Sequence, residues 1–251
     1  MIIKQKDLIY SLSWDVLFIF DACRFDYFEK ISLPIFTAVK NIEFKYFRCL
    51  SAGRCTVEWF RNTFDKKLDN VIYISNNPII TSTHLHIYEY FPKRFFKDFV
   101  DVFQSSLDKL GYACHFIPDK AFTILFKLMR KYQDCKFIVH LYQPHAPYVF
   151  EYETAIFYIK NIIQGDVNFW KFVKQGFISI EKLKKAYILN LIYITIVTLE
   201  YLKKLKNRKI VITSDHGEFL GEKGYFNHEC PKDYKEMNIF IQTVPWLEIE
   251  L

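Results

Sequence analysis

Four short apolar runs divide the chain, and each stops abruptly at a polar or proline-containing segment. Asp15 to Phe20 (DVLFIF) ends on Asp21. Val71 to Ile74 (VIYI) is followed by SNNP, Phe137 to Leu141 (FIVHL) by YQPH, and Lys209 to Ile212 (KIVI) by TSDHGE. A short, nearly continuous run, rather than an alternating one, suits a parallel strand buried on both faces. Between these runs, apolar positions recur at helical spacing. Phe95, Phe96, Phe99, Phe103 and Leu107 predict one helix; Leu183, Tyr187, Leu191, Ile194 and Thr198, with Leu202 following, predict another. Strands alternating with helices predict an α/β fold with a mostly parallel sheet sandwiched by helices. The stretch from Val149 to Ile180 fits the alternation poorly. It mixes aromatics with single charges around Gly165 and Gly176 and reads as a cap inserted into a single domain covering residues 1–251.

Composition narrows the picture. Half of the 251 residues are hydrophobic and 19% are aromatic, against only 7 Gly and 8 Pro, which suits packed elements and argues against disorder. The formal charge of +6 comes from scattered lysines with no block of like charges, so a nucleic-acid tail is not indicated, while attraction of an anionic substrate is compatible with it. The opening MIIKQKDLIYSLSWDVLFIF lacks a clean apolar core followed by a small-residue cleavage site, and a cytoplasmic location is expected. Six cysteines without a Cys-x-x-Cys pair are expected to be reduced, and a structural zinc site is not expected. The most apolar stretch, Ala186 to Leu199, is interrupted by Asn190, Tyr193, Thr195 and Thr198. It is shorter than the roughly 20 residues needed to span a bilayer, so a buried helix is expected and no transmembrane segment.

Candidate chemistry sits where the strands end. Asp215 and His216, side by side after KIVI, can reach one divalent cation, and Gly217 lets the backbone approach a bound anion. Asp21, with Arg24 three residues on, is either another ligand or part of a simple ion pair or helix cap. In Ser51-Ala52-Gly53-Arg54-Cys55-Thr56-Val57-Glu58-Trp59 a small-residue turn leads into a helix. A hydroxyl or thiol there benefits from the helix dipole and free amides, or merely caps the helix. In His140-Leu141-Tyr142-Gln143-Pro144-His145, His140 lies within the strand and reads as structural, whereas His145 sits in the loop where ligands collect.

These four segments, in this order, resemble the alkaline phosphatase and sulfatase superfamily, especially its small sulfatase-like members common in archaea. The resemblance extends from Asp15 to Trp246, including the segments Gly176 to Leu191 and Thr243 to Trp246. It implies an alkaline phosphatase-like fold and one divalent ion (Zn, Mn, Mg or Ca) held by Asp21, Thr56, Asp215 and His216, with Thr56 as nucleophile. Cys55 competes for that role. The stretch Cys55-Thr56-Val57-Glu58-Trp59 lacks the Pro and Arg of the sulfatase motif, which favours phosphoryl chemistry. Leu141 stands where two-metal members carry Asp, so a second metal is not expected. His145 and His228, with Lys223 and Arg54, are then expected to bind the nonbridging oxygens or to protonate the leaving group. The implied activity is metal-dependent hydrolysis of phosphate-type or sulfate esters through a covalent Thr intermediate. A phosphotransferase acting on a glycan or lipid headgroup, or a binding protein that keeps the fold without turnover, are the alternatives. The expected partner is a small anionic ester, free or linked to a glycan or lipid.

Overall fold

The computed structural model describes residues 3–39, 43–82, 91–103, 118–146, 148, 169–229 and 238–251. The main sheet has seven strands: β1 (Val16–Asp21), β2 (Glu43–Leu50), β3 (Leu68–Ser75), β4 (Phe96–Asp101), β5 (Lys136–Pro144), β6 (Lys209–Ser214) and β9 (Thr243–Glu250). Their order is β2-β9-β6-β1-β5-β3-β4. β7 (Phe219–Leu220) and β8 (Phe226–Asn227) form a separate antiparallel pair. All contacts from β6 through β1, β5 and β3 to β4 are parallel, and β9 runs against both β2 and β6. Strands β1, β3, β5 and β6 therefore bring their carboxyl ends to one edge.

The four expected strands are present, and both faces of each are covered. Along β1, Val16, Phe18 and Phe20 belong to one core cluster, whereas Leu17 and Ile19 belong to another on the opposite face. The first cluster is closed by α5 (Asp119–Lys131), through Phe122 and Leu125, and by α7 (Ile180–Leu202), through Leu183, Leu191 and Ile194. The second is closed by Ile9 of α1 (Gln5–Ser11) and by Trp59 and Phe60 of α4 (Thr56–Thr63). Between β1 and β2 runs a helical stretch made of α2 (Phe25–Tyr27), a π-turn (Phe28–Ser32) and α3 (Leu33–Thr37). Helices α6 (Phe169–Lys174) and α8 (Ile239–Gln242) complete the described set. The expected cap falls mostly outside the described residues: of 149–180, α6, the turn after it and the first residue of α7 are described.

Two expectations are corrected. The segment beginning at Phe96 is strand β4, not a helix, and Leu107 lies outside the described residues. Phe96, Phe99 and Val102 are buried at a spacing that mimics a helix. Nevertheless, β3 offers a free parallel edge, and Phe96 and Phe99 pack on Tyr73, Phe96 also on Phe64. Packing of this kind against a neighbouring strand outweighs a local pattern. The second correction concerns length. The apolar helix runs 23 residues and is long and apolar enough to cross a membrane on those criteria alone. In the fold its Leu183, Ala186, Tyr187, Leu191 and Ile194 face the sheet, and Ser179 caps its start by accepting from the Lys182 amide (3.2 Å). The four cysteines among the described residues, Cys23, Cys49, Cys55 and Cys135, are free thiols.

Helix α7 also reaches the loop that leaves β1. The Tyr187 hydroxyl donates to the Ala22 carbonyl (2.9 Å) and accepts from the Arg24 amide (2.9 Å), clamping a turn in which Ala22 is left-handed at φ 57°. Tyr187→Phe strands both buried backbone groups. It should lower the unfolding free energy by about 1–3 kcal/mol, read as a shift of the denaturation midpoint without a change in slope.

Candidate active site

Every group singled out at a strand end meets at the carboxyl edge, as open parallel sheets require. Asp21 closes β1 at a register shift, where it pairs with Pro144 rather than continuing the ladder. Its Oδ2 accepts from the Asn77 amide just beyond β3, whereas its Oδ1 has no hydrogen-bond partner and lies 3.6 Å from His216 Nε2. Asp215 follows β6. Its Oδ1 accepts from the backbone amides of Ala22 (3.0 Å) and His216 (2.9 Å); its Oδ2 has no partner and sits 3.2 Å from His216 Nε2. His216 donates from Nδ1 to the Gly217 carbonyl (2.7 Å), because a carbonyl can only accept, and this turns the Nε2 lone pair towards the carboxylates. Thr56, the first residue of α4, places its hydroxyl 3.1 Å from that same Nε2.

Two glycines permit this closeness. A Cβ on Gly53 would collide with the backbone of Trp59, and one on Gly217 with the Phe240 carbonyl oxygen. Ser51 holds the loop before α4 by donating to the Asp215 carbonyl. Arg24, almost wholly buried, braces the opposite side. It makes two bonds to Asp26 (3.0 and 2.8 Å), one to Glu222 (2.6 Å) and one to the Glu218 carbonyl (3.3 Å), and stacks over Phe240 at 4.5 Å. Arg24 thus pairs with Asp26 and Glu222 rather than with Asp21, whose carboxylate lies beside His216 and Asn77 instead.

A second group of donors adjoins the first. His145, one residue past β5 and after a cis Gln143–Pro144 bond, gives its Nδ1 proton to the Ala146 carbonyl (2.6 Å) and points Nε2 at Glu218 Oε1, 4.0 Å away. His228 Nε2 lies 3.8 Å from the same oxygen, and its ring meets that of His216 edge-on at 4.3 Å. Both Glu218 oxygens and His228 Nε2 lack partners. Asp21, Asp215 and His216 form one group able to hold a metal ion, and His145, Glu218 and His228 a second. Arg54 is half-exposed, with its guanidinium on Glu58 at 3.2 Å, and Lys223 is exposed in the turn after Gly221; the structure draws neither into these two groups.

Burial sets the electrostatics. It pushes the Asp21 carboxyl well above its ordinary range, helped by the Asp215 and Glu218 charges. Burial alone would raise Asp215 too, but His216 and the amide bonds outweigh it and hold Asp215 low. Glu218 is pushed up by burial, which the nearby Arg24 charge only partly offsets. Burial pushes His140 and His145 down to about 4, and His228 well below its usual value. His140 bonds the Tyr73 hydroxyl (2.7 Å) and stands on the site floor 3.7 Å from Asp215 Oδ2, so the structural histidine also faces the ligands.

A divalent cation fits the first group. An unpartnered oxygen from each of two buried carboxylates, an imidazole lone pair and a hydroxyl converge, and oxygen with nitrogen donors suits Zn, Mn or Mg. Glu218 and Asn77 are the site groups that reading motifs alone misses. Glu218 hides within the Asp-His-Gly-Glu run as an apparent loop residue. Asn77 shows only that it follows an apolar run ending at the same edge.

No protein-family model matches the chain, and no curated protein matches it by sequence. Among solved structures, the soluble domain of lipooligosaccharide phosphoethanolamine transferase A from Neisseria meningitidis is similar at TM-score 0.61 and 15% identity, over 94% of this chain and 75% of that one. The fold is alkaline phosphatase-like. The intact integral membrane form of the Neisseria protein is similar at TM-score 0.64 and 16% identity, over 94% of this chain, which spans only 47% of that one. The C-terminal periplasmic domain of EptC from Escherichia coli, in complex with Zn, is similar at TM-score 0.60 and 15% identity, over 93% of this chain and 71% of that one. Alkaline phosphatase-like neighbours from the periplasm and the membrane overturn the cytoplasmic expectation, which rested on the lack of a recognisable leader alone.

The depressed imidazoles carry a pH signature. As pH falls through about 6.5 the unfolded chain protonates each histidine, while folded His145 waits until about 4, so the unfolded state binds more protons and stability drops across that window. Asp21 and Glu218 act in the opposite sense, but they are common to wild type and to His145→Gln. The variant should therefore lose less melting temperature than wild type on acidification from about pH 6.5 to about pH 4.5, measured on cation-stripped protein.

Proposed function

We propose that the protein is a phosphotransferase that moves a phospho-alcohol headgroup from a lipid- or glycan-linked donor to an alcohol acceptor through a covalent phospho-Thr56 intermediate. The observation that carries this reading is the Thr56 hydroxyl at the buried start of α4, 3.1 Å from His216 Nε2 and beside two carboxylates with unpartnered oxygens. The similarity to proteins named phosphoethanolamine transferases favours transfer over hydrolysis, which would differ only in using water as acceptor.

A divalent cation bound by Asp21, Thr56, Asp215 and His216 would supply the positive charge that lowers the hydroxyl pKa and offsets charge on the phosphoryl oxygens. The protein groups do the rest. In the first half Thr56 releases its proton to solvent and its Oγ bonds to phosphorus as the donor P–O bond breaks; in the second the acceptor alcohol loses its proton and its oxygen bonds to phosphorus as the bond to Thr56 Oγ breaks. The departing donor alkoxide takes a proton. His145 and His228 are positioned to give it. Burial keeps both neutral on their own, but an anionic phospho-group within about 4–6 Å favours imidazolium, so the substrate brings its own acid into being. Glu218, pushed towards its neutral form, is a further donor to a nonbridging oxygen. We assign Arg54 and Lys223 to the outer oxygens of the donor, one cation to the first donor group, and the second group to the phospho-group rather than to a second metal.

The test offers fluorescent phosphatidylethanolamine and phosphatidylglycerol as donors, with a lipid-linked glycan as acceptor, to Mn- or Zn-loaded protein. Intact mass should show a phospho-headgroup adduct in wild type and Cys55→Ala and none in Thr56→Ala. Release of free phospho-alcohol without acceptor product would restore hydrolysis as the activity.

A further inference from the structure

Helix α1 begins with Gln5, a wholly buried polar residue far in sequence from everything it touches. Its Oε1 accepts from the indole N–H of Trp59 at 2.7 Å. Its Nε2 donates to Thr213 Oγ1 (2.8 Å) and to the Ser214 carbonyl (2.6 Å). The chemistry of the partners settles which way the amide points. An indole nitrogen only donates and a carbonyl only accepts, while Thr213 spends its own proton on the Pro245 carbonyl (2.7 Å) and must accept from Gln5. Both amide protons and the amide oxygen are thereby used, with no partner left over.

These partners belong to the two halves of the candidate site. Trp59 stands one helical turn after Thr56 on α4, so the two share a face. Its backbone fills the space that a Gly53 side chain would need, and its ring meets His140 edge-on at 5.6 Å. Thr213 and Ser214 end β6, and the Ser214 carbonyl belongs to the peptide bond that launches Asp215. The segment is itself anchored, since Lys4 bridges to Leu50 and the Leu50 amide donates to the Ile3 carbonyl (2.8 Å) at the end of the strand that leads to the nucleophile.

We infer that Gln5 is a positioning residue that sets the nucleophile helix against the Asp215-His216 strand end, and so fixes the separation of Thr56 from His216. The inference rests on Thr56 being the nucleophile, as proposed above. A side chain with both a donor and an acceptor end is required. Glutamate would set a carboxylate oxygen against the Ser214 carbonyl, and an apolar residue would take their Gln5 partner from the Trp59 indole N–H and the Ser214 carbonyl and leave Thr213 only its bond to Pro245.

The test compares Gln5→Met, which keeps length but makes no hydrogen bond, with wild type in metal-loaded full-length protein, well below the melting temperature of each. Single-turnover labelling of Thr56 should slow by about tenfold or more, in line with the cost of small misplacements, while the donor KM stays within about twofold. Hydrogen exchange on the metal-free proteins supplies a readout independent of activity. Peptides covering 53–60 and 213–218 should exchange faster in the variant, and those from β3 and β5 should not. Wild-type exchange in both segments, or slowed labelling fully matched by a general loss of folded protein, would overturn the inference. If wild type itself labels nothing, the transferase reading fails, and the exchange result still decides the role of Gln5.

Discussion

Three carboxylates, Asp21, Asp215 and Glu218, are sealed from solvent beside His140, His145 and His228, which burial holds towards their neutral form, and the rest of the site answers to that constraint. Buried charge is tolerated only when paired or coordinated. The protein compensates part of each carboxylate with donors: Asn77 for Asp21, two backbone amides for Asp215, and the Arg24 charge nearby for Glu218. The oxygens left over point inward together. That residual demand marks out two adjoining groups able to hold a metal ion more sharply than any one motif.

Such a cluster needs a rigid surround, and it is built from contacts between segments distant in sequence. Tyr187 on α7 pins the turn after β1, Arg24 ties that turn to the loop after β6, and Gln5 joins α1, α4 and β6. Trp59 lies at the crossing of several of these, bonded to Gln5, edge-on to His140 and pressed against Gly53. Its neighbours Phe60 and Phe64 continue an aromatic layer over Tyr73 and Phe96, which is where much of the aromatic content of the chain goes. Rigidity is chemically useful here, since donors that are already aimed cost little reorganisation when charge develops.

The similar solved structures share the fold at about one residue in six; two are named as a phosphoethanolamine transferase, one of them an integral membrane protein, and the third is a periplasmic domain. At that identity the fold is common ground, and the case for covalent transfer rests on this chain's own Thr56, His216 and paired donor groups. Helix α7 joins the two levels. It is as long and apolar as a membrane span, yet it serves the site by turning Tyr187 and Asn190 onto the loops after β1 and β5.

Much of the architecture was legible in the chain alone. Apolar runs ending in Asp21, Ser-Asn-Asn-Pro, Tyr-Gln-Pro-His and Asp215-His216 mark buried parallel strands, because a strand covered on both faces has no polar position until it leaves the sheet. Those exits also carry Asp21, His145, Asp215 and His216, so strand pattern and candidate chemistry are read from the same places. Periodicity failed at Phe96 to Val102, where packing on Tyr73 rather than local spacing chose a strand, and it said nothing of the antiparallel β2 and β9 pairing. Glu218, Asn77 and Gln5 acquire their roles only in three dimensions. Each is a polar residue whose meaning depends on which buried partner it meets, and those partners lie 56 residues away for Asn77 and 208 for Gln5. Local sequence determines where a strand can start and stop; which polar atoms are left facing one another in the dark is decided by the packing of the whole chain.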